Sequence, residues 1–231
     1  MKSVVDVIIP AFNEAAAIGK VIAALPNSVR EIVVADNGST DGTSGVAQQY
    51  GATVVTETQK GYGHACLKAM AYIEKKVTPP DIVVFLDGDF SDYPEELPKL
   101  VAPIASKKAV FVVGARSAAL RTKNALTPQQ QFGNALATLL MRWLYNSRFT
   151  DLGPFRAIDW KTLLALNMKD KTYGWTVEMQ LKIVQRKLPY AEIPVRYKAR
   201  IGTSKVSGTV KGTILAGIKI LYWIAKSVVV K

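Results

Sequence analysis

Cysteine and histidine are almost absent from this sequence. Cys66 and His64 are the only residues of their types among 231. One thiol cannot build a disulfide framework or a cysteine-rich metal cluster, so we expect a reducing cytosol and a buried thiol. Because His64 opens a predicted helix, packing or capping is favoured over a role as general base.

Acidic residues are scarce, and long apolar runs are missing. Lys and Arg number 30 against 18 Asp and Glu, a net charge of +12. That excess points to phosphate-bearing ligands, nucleic acid or an anionic membrane surface. The most apolar stretch, 213–230, is interrupted by Lys219 and Lys226. No segment therefore reaches the roughly 20 uninterrupted apolar residues of a spanning helix.

What the chain does contain is a regular alternation of strand and helix patterns. Its hydrophobic content of 49% excludes a disordered chain and allows a large core. The alternation predicts an α/β fold, a mostly parallel sheet flanked by helices. The predicted strands are 5–10, 31–36, 53–57, 81–87 and 109–116, and the predicted helices are 18–25, 43–50, 63–75, 132–146, 160–166 and 176–187.

Polar clusters follow three of the predicted strands. They are "PAFNE" at 10–14, "DNGSTDGT" at 36–43 and "DGD" at 87–89. Ligands of parallel sheets bind at the carboxyl ends of the strands, so one pocket is expected to collect all three clusters. A Rossmann dehydrogenase is excluded, because "PAFNEA" stands where a glycine-rich turn should follow the first strand.

Two carboxylates, Asp87 and Asp89, flank Gly88 directly after an apolar run. Paired hard oxygen donors without a neighbouring sulfur ligand suit Mg²⁺ or Mn²⁺, which neutralise a diphosphate. The alternative is an exposed strand-to-loop turn, for which Asp-Gly is common. The parallel-sheet context favours the metal.

Two further stretches suit a nucleotide. Asp36 ends a strand, where a carboxylate can accept hydrogen bonds from a base or ribose, although a capping turn is the alternative. Lys60, Gly61 and Gly63 precede a helix and would suit a phosphate at its N-terminus. They lack the full phosphate-loop pattern.

Seven ordered blocks together resemble the inverting glycosyltransferases of family 2, which have a GT-A, Rossmann-like fold. The blocks are "VIIPAFNEAAAIGKVI", "VVADNGSTDGT", "KGYGHAC", "VVFLDGDFSDYPEEL", "VVGAR", "TDLGPFRAI" and "RIGTSKVSGT". The subgroup most similar to them is the polyprenyl-phosphate sugar synthases, such as dolichyl-phosphate mannose synthase. The resemblance covers residues 4 to about 213.

The resemblance implies roles for individual residues. Nucleotide contacts would come from Pro10, Ala11, Asn13, Glu14 and, at the base, Asp36; Lys60 and Gly61 would flank the donor. Asp87 and Asp89 match the metal-binding pair, with Asp89 the direct ligand. Arg116 would pack near the donor, Asp151 near the acceptor with Arg156 following it, and Arg200, Ser204 and Lys205 would grip the phosphates.

Three departures from the family pattern involve four residues. Asn37 stands where a second Asp is frequent, and Ser91 where the lipid-phosphate synthases often place a metal-binding Gln. Gly153 and Pro154 replace the usual Ser-Gly before Phe155. These changes concern base recognition, metal coordination and acceptor specificity, respectively.

The expected activity is metal-dependent, inverting transfer of a sugar from a UDP- or GDP-sugar to a polyprenyl phosphate, dolichyl or undecaprenyl. A phosphate acceptor is already ionised at neutral pH and needs positioning, and basic residues at 196, 198, 200 and 205 favour it. The alternative is a glycolipid or another hydroxyl acceptor, which would need a general base, with Asp151 the candidate.

The last segment is expected to lie on a membrane. Residues 1–205 would form the catalytic domain and 206–231 an amphipathic helix at the cytoplasmic face, with Tyr222 and Trp223 at the headgroup boundary. Lys211, Lys219 and Lys226 share one arc, away from Ile214, Ile218, Leu221, Ala225 and Val228. The alternative is a core or dimer helix.

A homodimer and a membrane partner subunit are both alternatives for the assembly. No nucleic acid is expected as a partner, because the basic residues cluster after 186.

Overall fold

A computed structural model describes residues 3–203 and 210–229. The strands are β1 (Val5–Ala11), β2 (Val29–Asp36), β3 (Thr53–Thr56), β4 (Ile82–Phe85), β5 (Phe111–Ala115), β6 (Arg156–Asp159) and β7 (Tyr190–Pro194). The helices are α1 (Ala15–Ala23), α2 (Thr43–Gln49), α3 (Tyr62–Glu74), α4 (Leu97–Ala105), α5 (Pro128–Tyr145), α6 (Trp160–Leu166), α7 (Trp175–Gln185) and α8 (Val210–Val229), with a 3₁₀ turn at Pro94–Glu96.

The strands form one sheet in the order β3-β2-β1-β4-β6-β5-β7. All neighbouring pairs are parallel except those of β6, which runs antiparallel to both β4 and β5. The predicted mostly parallel α/β sheet is therefore confirmed. Because β1 lies between β2 and β4, the carboxyl ends of these three strands are adjacent.

Side chains of the central strands alternate between the two faces of the sheet, as strand geometry requires. Ile8, Val83 and Phe85 belong to a core shared with α3, α6 and α7, and Ile9 and Val84 to a second core under α1 and α4. Both faces are covered, which explains why the strands are nearly continuous apolar runs.

The last helix packs on the domain through Trp223 and Ile224, which join the core that contains α7. The expectation that Trp223 sits at a lipid headgroup boundary is wrong, because only 9% of it is exposed. Tyr222 is exposed by 49% and Ile218 by 58%. The part of the chain at 3–203 and 210–229 contains no helix whose length and apolar content would let it cross a membrane.

Candidate active site

The segments after β1 and β2 are joined by hydrogen bonds, as expected of adjacent strand ends. The Asn37 amide donates to the carbonyl of Ala11 at 2.8 Å, and the Thr40 amide to Asn13 Oδ1 at 2.8 Å. The Glu14 amide donates to Thr43 Oγ1 at 2.9 Å. Residues 10–14 and 36–43 therefore form one wall of a site.

The Asp36 carboxylate stabilises its own turn. Its Oδ1 accepts from the Ser39 amide at 2.8 Å, its Oδ2 accepts from the Ser44 hydroxyl, and the side chain is only 5% exposed. Asp41 in the same turn accepts from the Thr43 amide and hydroxyl. Neither aspartate is the N-cap of α2, which is Gly42: Asp36 stabilises the turn before the helix, and Asp41 accepts from Thr43, the first residue of the helix.

Asn37 connects the β2 turn to the segment that precedes α3. Its Nδ2 donates to the carbonyls of Glu57 and Gln59 at 3.0 and 2.7 Å, and its Oδ1 accepts from the Gly61 amide at 2.7 Å. Lys60 Nζ donates to the Asn37 carbonyl at 2.9 Å. Lys60 and Gly61 are thereby fixed beside the wall formed by residues 10–14 and 36–43.

The acidic pair follows β4, next to the same wall. Asp89 Oδ1 accepts from the Ser91 amide at 2.9 Å and from its hydroxyl at 2.5 Å. Arg200 spans the site: its Nη1 lies 3.2 Å from Asp89 Oδ2, and its Nη2 donates to Glu14 Oε1 at 2.6 Å. Arg200 therefore ties the pair to residues 10–14.

Asp87 is held in an environment that disfavours its charge. Burial and then the neighbouring Asp89 carboxylate raise the pKa of Asp87 to about 7. The Tyr62 hydroxyl donates to Asp87 Oδ1 at 3.2 Å, which offsets only part of this effect. Near pH 7 the Asp87 carboxyl is thus only partly ionised, and a bound cation would favour its ionised form.

These residues fit a divalent cation that binds together with a ligand. Within residues 3–203 and 210–229 there is no group of three His, Cys, Asp or Glu side chains suited to a metal. Mg²⁺ is commonly held by one or two carboxylates plus substrate phosphates and water. Asp87 and Asp89 match that donor set, whereas Ser91 donates its hydrogen to Asp89.

Arg116 and Asp151 form a bidentate pair, and Arg116 is near enough to the acidic pair to lower the pKa of Asp87. Arg116 donates from Nε to Oδ2 at 2.8 Å, from Nη2 to Oδ1 at 2.6 Å and from its amide to Oδ2 at 2.8 Å. Burial alone would raise the pKa of Asp151, but Arg116 outweighs it and holds that pKa below its ordinary value. Asp151 is consequently a poor proton acceptor.

A cavity of about 290 Å³ opens beside this pair. Its lining is largely polar and includes Arg116, Arg121, Gln131, Asn134, Thr150 and Asp151. Gly153 lies behind it, and a Cβ there would overlap the Gly114 carbonyl and lie 3.2 Å from Asp151 Oδ2. Close packing accounts for the glycine at this departure from the family pattern.

Asp92 was not predicted as a site residue. It is 2% exposed, and neither carboxylate oxygen has a hydrogen-bond partner in the described part of the chain. Burial first, and then Asp87 and Asp89, raise its pKa well above the ordinary value. The signal was present as a third aspartate in "DGDFSD".

The basic residues near the C-terminus divide into two groups. Arg196 is bound by Glu95 and Glu96, and Lys198 Nζ lies 3.3 Å from the centre of the Phe90 ring. Arg200 alone among residues 196, 198 and 200 bonds to the acidic pair. Ser204 and Lys205 lie outside the described residues, as does the side chain of Lys211.

Comparisons with known proteins agree with this architecture. The Glycosyl transferase family 2 profile matches residues 6–163. A glycosyltransferase of Mycobacterium tuberculosis is 34% identical over 92% of this chain and 94% of its own length. The undecaprenyl-phosphate mannosyltransferase of Micrococcus luteus is 27% identical over 91% of this chain and 90% of its own length.

Solved structures share the fold. The glucosyl-3-phosphoglycerate synthase of Mycobacterium tuberculosis, crystallised with Mn²⁺, uridine diphosphate and phosphoglyceric acid, superposes with a TM-score of 0.77. That likeness covers 97% of this chain and 78% of the synthase at 21% identity. This chain belongs to glycosyl transferase family 2, and it has the GT-A fold that the resemblance implied.

Proposed function

We propose that this chain transfers a sugar, with inversion, from a UDP- or GDP-sugar to a polyprenyl phosphate at the cytoplasmic surface of a membrane. A nucleotide-sugar donor is supported by the wall of residues 10–14 and 36–43, which lies beside Lys60 and the acidic pair. The undecaprenyl-phosphate mannosyltransferase of Micrococcus luteus supports the acceptor by similarity.

The acceptor oxygen attacks the anomeric carbon from the face opposite the diphosphate. The bond from that carbon to the diphosphate oxygen breaks, and its electron pair leaves with the nucleoside diphosphate. Arg200 faces this charge from one side, and Lys60 flanks the donor. A Mg²⁺ or Mn²⁺ ion held by Asp87 and Asp89 would neutralise the growing negative charge.

The single observation that carries the choice of acceptor is the Arg116–Asp151 pair. A hydroxyl acceptor needs a group that removes its proton, and Arg116 occupies both oxygens of Asp151. A phosphate acceptor, with a second pKa near 6, needs no base. In this scheme the pair shapes the acceptor pocket, and Asp151 does not move a proton.

Exposed apolar side chains support a membrane surface as partner. Seven of the large exposed apolar residues lie on two helices that touch each other: Phe132, Leu139 and Trp143 on α5, and Leu215, Ile218, Leu221 and Tyr222 on α8. At about 100° per residue each set forms one stripe. Lys226 borders the α8 stripe and packs on Tyr222.

An anionic lipid surface fits these helices better than a second copy of the chain. A dimer through the same stripes would bring two molecules of charge +12 together. Anionic lipid instead attracts that charge and accepts the apolar stripes, the usual pairing for interfacial helices.

A hydroxyl acceptor is the second candidate, favoured by the polar cavity beside Asp151. It would bind where Arg121, Gln131 and Asn134 offer hydrogen bonds. Under this reading Arg116 must release Asp151 when the acceptor enters.

The test is transfer from a panel of UDP- and GDP-sugars, with Mn²⁺ or Mg²⁺, to a short polyprenyl phosphate and, separately, to glycolipid and phosphoglycerate acceptors. We expect a lipid-linked sugar product that EDTA and Asp89→Asn abolish, while Glu74→Gln, an exposed carboxyl change on α3, retains it. Products with hydroxyl acceptors alone would refute the polyprenyl-phosphate assignment.

Binding to the membrane surface is tested separately. Co-sedimentation with phosphatidylglycerol vesicles should weaken in Trp143→Ser and Ile218→Ser and persist in Val77→Ser, an equally apolar but isolated exposed residue. Equal binding to neutral phosphatidylcholine vesicles, or no binding at all, would contradict the docking of α5 and α8 on anionic lipid.

A further inference from the structure

Asp170, in the loop between α6 and α7, is the point where the last helix reaches the body of the protein. Its carboxylate is 2% exposed. Oδ1 accepts from the amides of Thr172 at 2.7 Å and Gly174 at 2.9 Å. Oδ2 accepts from Trp223 Nε1 at 2.7 Å and lies 3.3 Å from Lys219 Nζ. One carboxylate thus joins its own loop to α8.

The other side of this loop touches the segment that opens α3. The His64 amide donates to the Lys171 carbonyl at 3.0 Å. A Cβ on Gly61 would overlap the Lys171 carbonyl oxygen, and one on Gly63 would overlap that of Asp170. The two backbones are therefore in direct contact, and only glycine allows them to approach so closely.

We propose that Trp223 is a positioning residue for the donor side of the site, acting through Asp170 and the Lys171 carbonyl on residues 60–64. This inference rests on the proposed function, because it takes Lys60 and Gly61 as flanking the donor. It adds to that function a dependence of donor binding on the last helix.

The contact is specific because the indole N–H completes a set of donors around a buried charge. Burial by itself raises the pKa of Asp170, but hydrogen bonds, first from Trp223 and then from Thr172, bring it below the ordinary value. Gly174 allows the approach, since a Cβ there would overlap the indole ring. Without the N–H, the partner that remains for Oδ2 among the described residues is Lys219, whose side chain is 40% exposed.

A second buried carboxylate, that of Glu178, also stabilises this loop. The Glu178 carboxylate accepts from the amides of Lys169 and Asp170 at 2.8 and 2.7 Å. The base of the loop is thus fixed within its own hairpin of helices. The part that faces residues 60–64 depends on the Asp170 side chain, and through it on α8.

The experiment compares Trp223→Phe with Trp160→Phe, a change of the same size at an indole that is 4% exposed and belongs to the same core. Amide hydrogen exchange of the full chain is followed at residues 61–66. Binding of UDP and of GDP, each with Mn²⁺, is measured by calorimetry. Lys219→Gln weakens the same contact from a partly exposed side chain, in case Trp223→Phe does not fold.

We expect Trp223→Phe to speed exchange of the His64 amide by about threefold or more and to weaken nucleotide binding by about fivefold or more. Lys219→Gln should act in the same direction, and Trp160→Phe should leave both quantities near the wild-type values.

Unchanged exchange at residues 61–66 would overturn the inference, as would faster exchange without weaker nucleotide binding. If the wild type binds neither nucleotide, the proposed function fails instead. Exchange then decides alone whether Trp223 holds residues 60–64, and equal rates in Trp223→Phe and Trp160→Phe would refute that contact.

Discussion

Replacing Asp87 by Asn should stabilise the metal-free protein while removing its activity. The folded state raises the pKa of this carboxyl from an ordinary 3.8 to about 7, so it resists ionisation there. Below the ordinary value both folded and unfolded chains are protonated and no penalty exists. As pH rises towards about 7 the unfolded chain loses its proton first, and the stability of the folded protein falls.

The size of the effect follows from the same two values. Each unit of pKa corresponds to about 1.36 kcal/mol, so the interval from 3.8 to about 7 sets an upper bound of roughly 4 kcal/mol above neutral pH. Because Asp87 is not fully shielded from water, we expect about 2 kcal/mol. Asn keeps the oxygen that accepts from Tyr62 and removes the charge that faces Asp89.

Urea denaturation in EDTA measures this directly. The Asn variant should unfold at higher urea than the wild type at about pH 8, with a smaller difference at about pH 5. Glu74→Gln, an exposed carboxyl change, should shift stability by less than about 0.5 kcal/mol at either pH. A less stable Asn variant at pH of about 8, or a gain independent of pH, would refute the reasoning.

Two other changes test contacts around the site. Arg116→Lys should lower the free energy of unfolding by about 2 kcal/mol, because one ammonium cannot replace the bidentate contact of the guanidinium with Asp151. The control is Arg142→Lys at an exposed position. Equal urea midpoints for the two variants would contradict this prediction. Gly174→Ala should lower the free energy of unfolding by about 1–3 kcal/mol, because the added methyl would overlap Trp223. Gly45→Ala, which has open space around the added methyl, should leave that free energy unchanged or raise it. Similar melting temperatures for the two variants would exclude the clash at Gly174.

The parallel half of the sheet could be predicted because its central strands β1 and β4 are buried along their whole length, and the edge strand β3 consists of β-branched residues. The predicted strands at 5–10, 31–36 and 53–57 correspond to β1, β2 and β3 within one or two residues. The strand β6 was missed because it is four residues long and begins with a buried Arg156, so its pattern does not differ from a loop. Its antiparallel pairing with β4 and β5 depends on contacts distant in sequence.

The start of one helix was predicted incorrectly and another helix was not predicted, and both have proline in the first turn. The helix predicted from residue 132 begins at Pro128, where the Thr127 side chain and Gln130 form a capping box. The helix α4 was not predicted, because Pro98 and Pro103 lie within it. Pro98 occupies the first turn, where proline is tolerated.

The sequence predicted where the candidate residues lie along the sheet, and their roles in a site stay predictions; their side-chain partners could not be predicted. Motif spacing brought Asp87 and Asp89 to the carboxyl end of a strand, and the structure has them there. Two sets of ion pairs join residues far apart in sequence: Arg116 with Asp151, and Arg196 with Glu95 and Glu96. A single sequence contains no signal for pairings of this kind.

Asn37 limits how this chain could evolve. Its amide nitrogen donates to two carbonyls while its oxygen accepts from the Gly61 amide, so every polar atom of the side chain is in use. Mutation to Asp would remove both donors and set a carboxylate against two carbonyl oxygens. An Asp at position 37 would therefore require other changes in residues 57–61 that give these two carbonyls new donors.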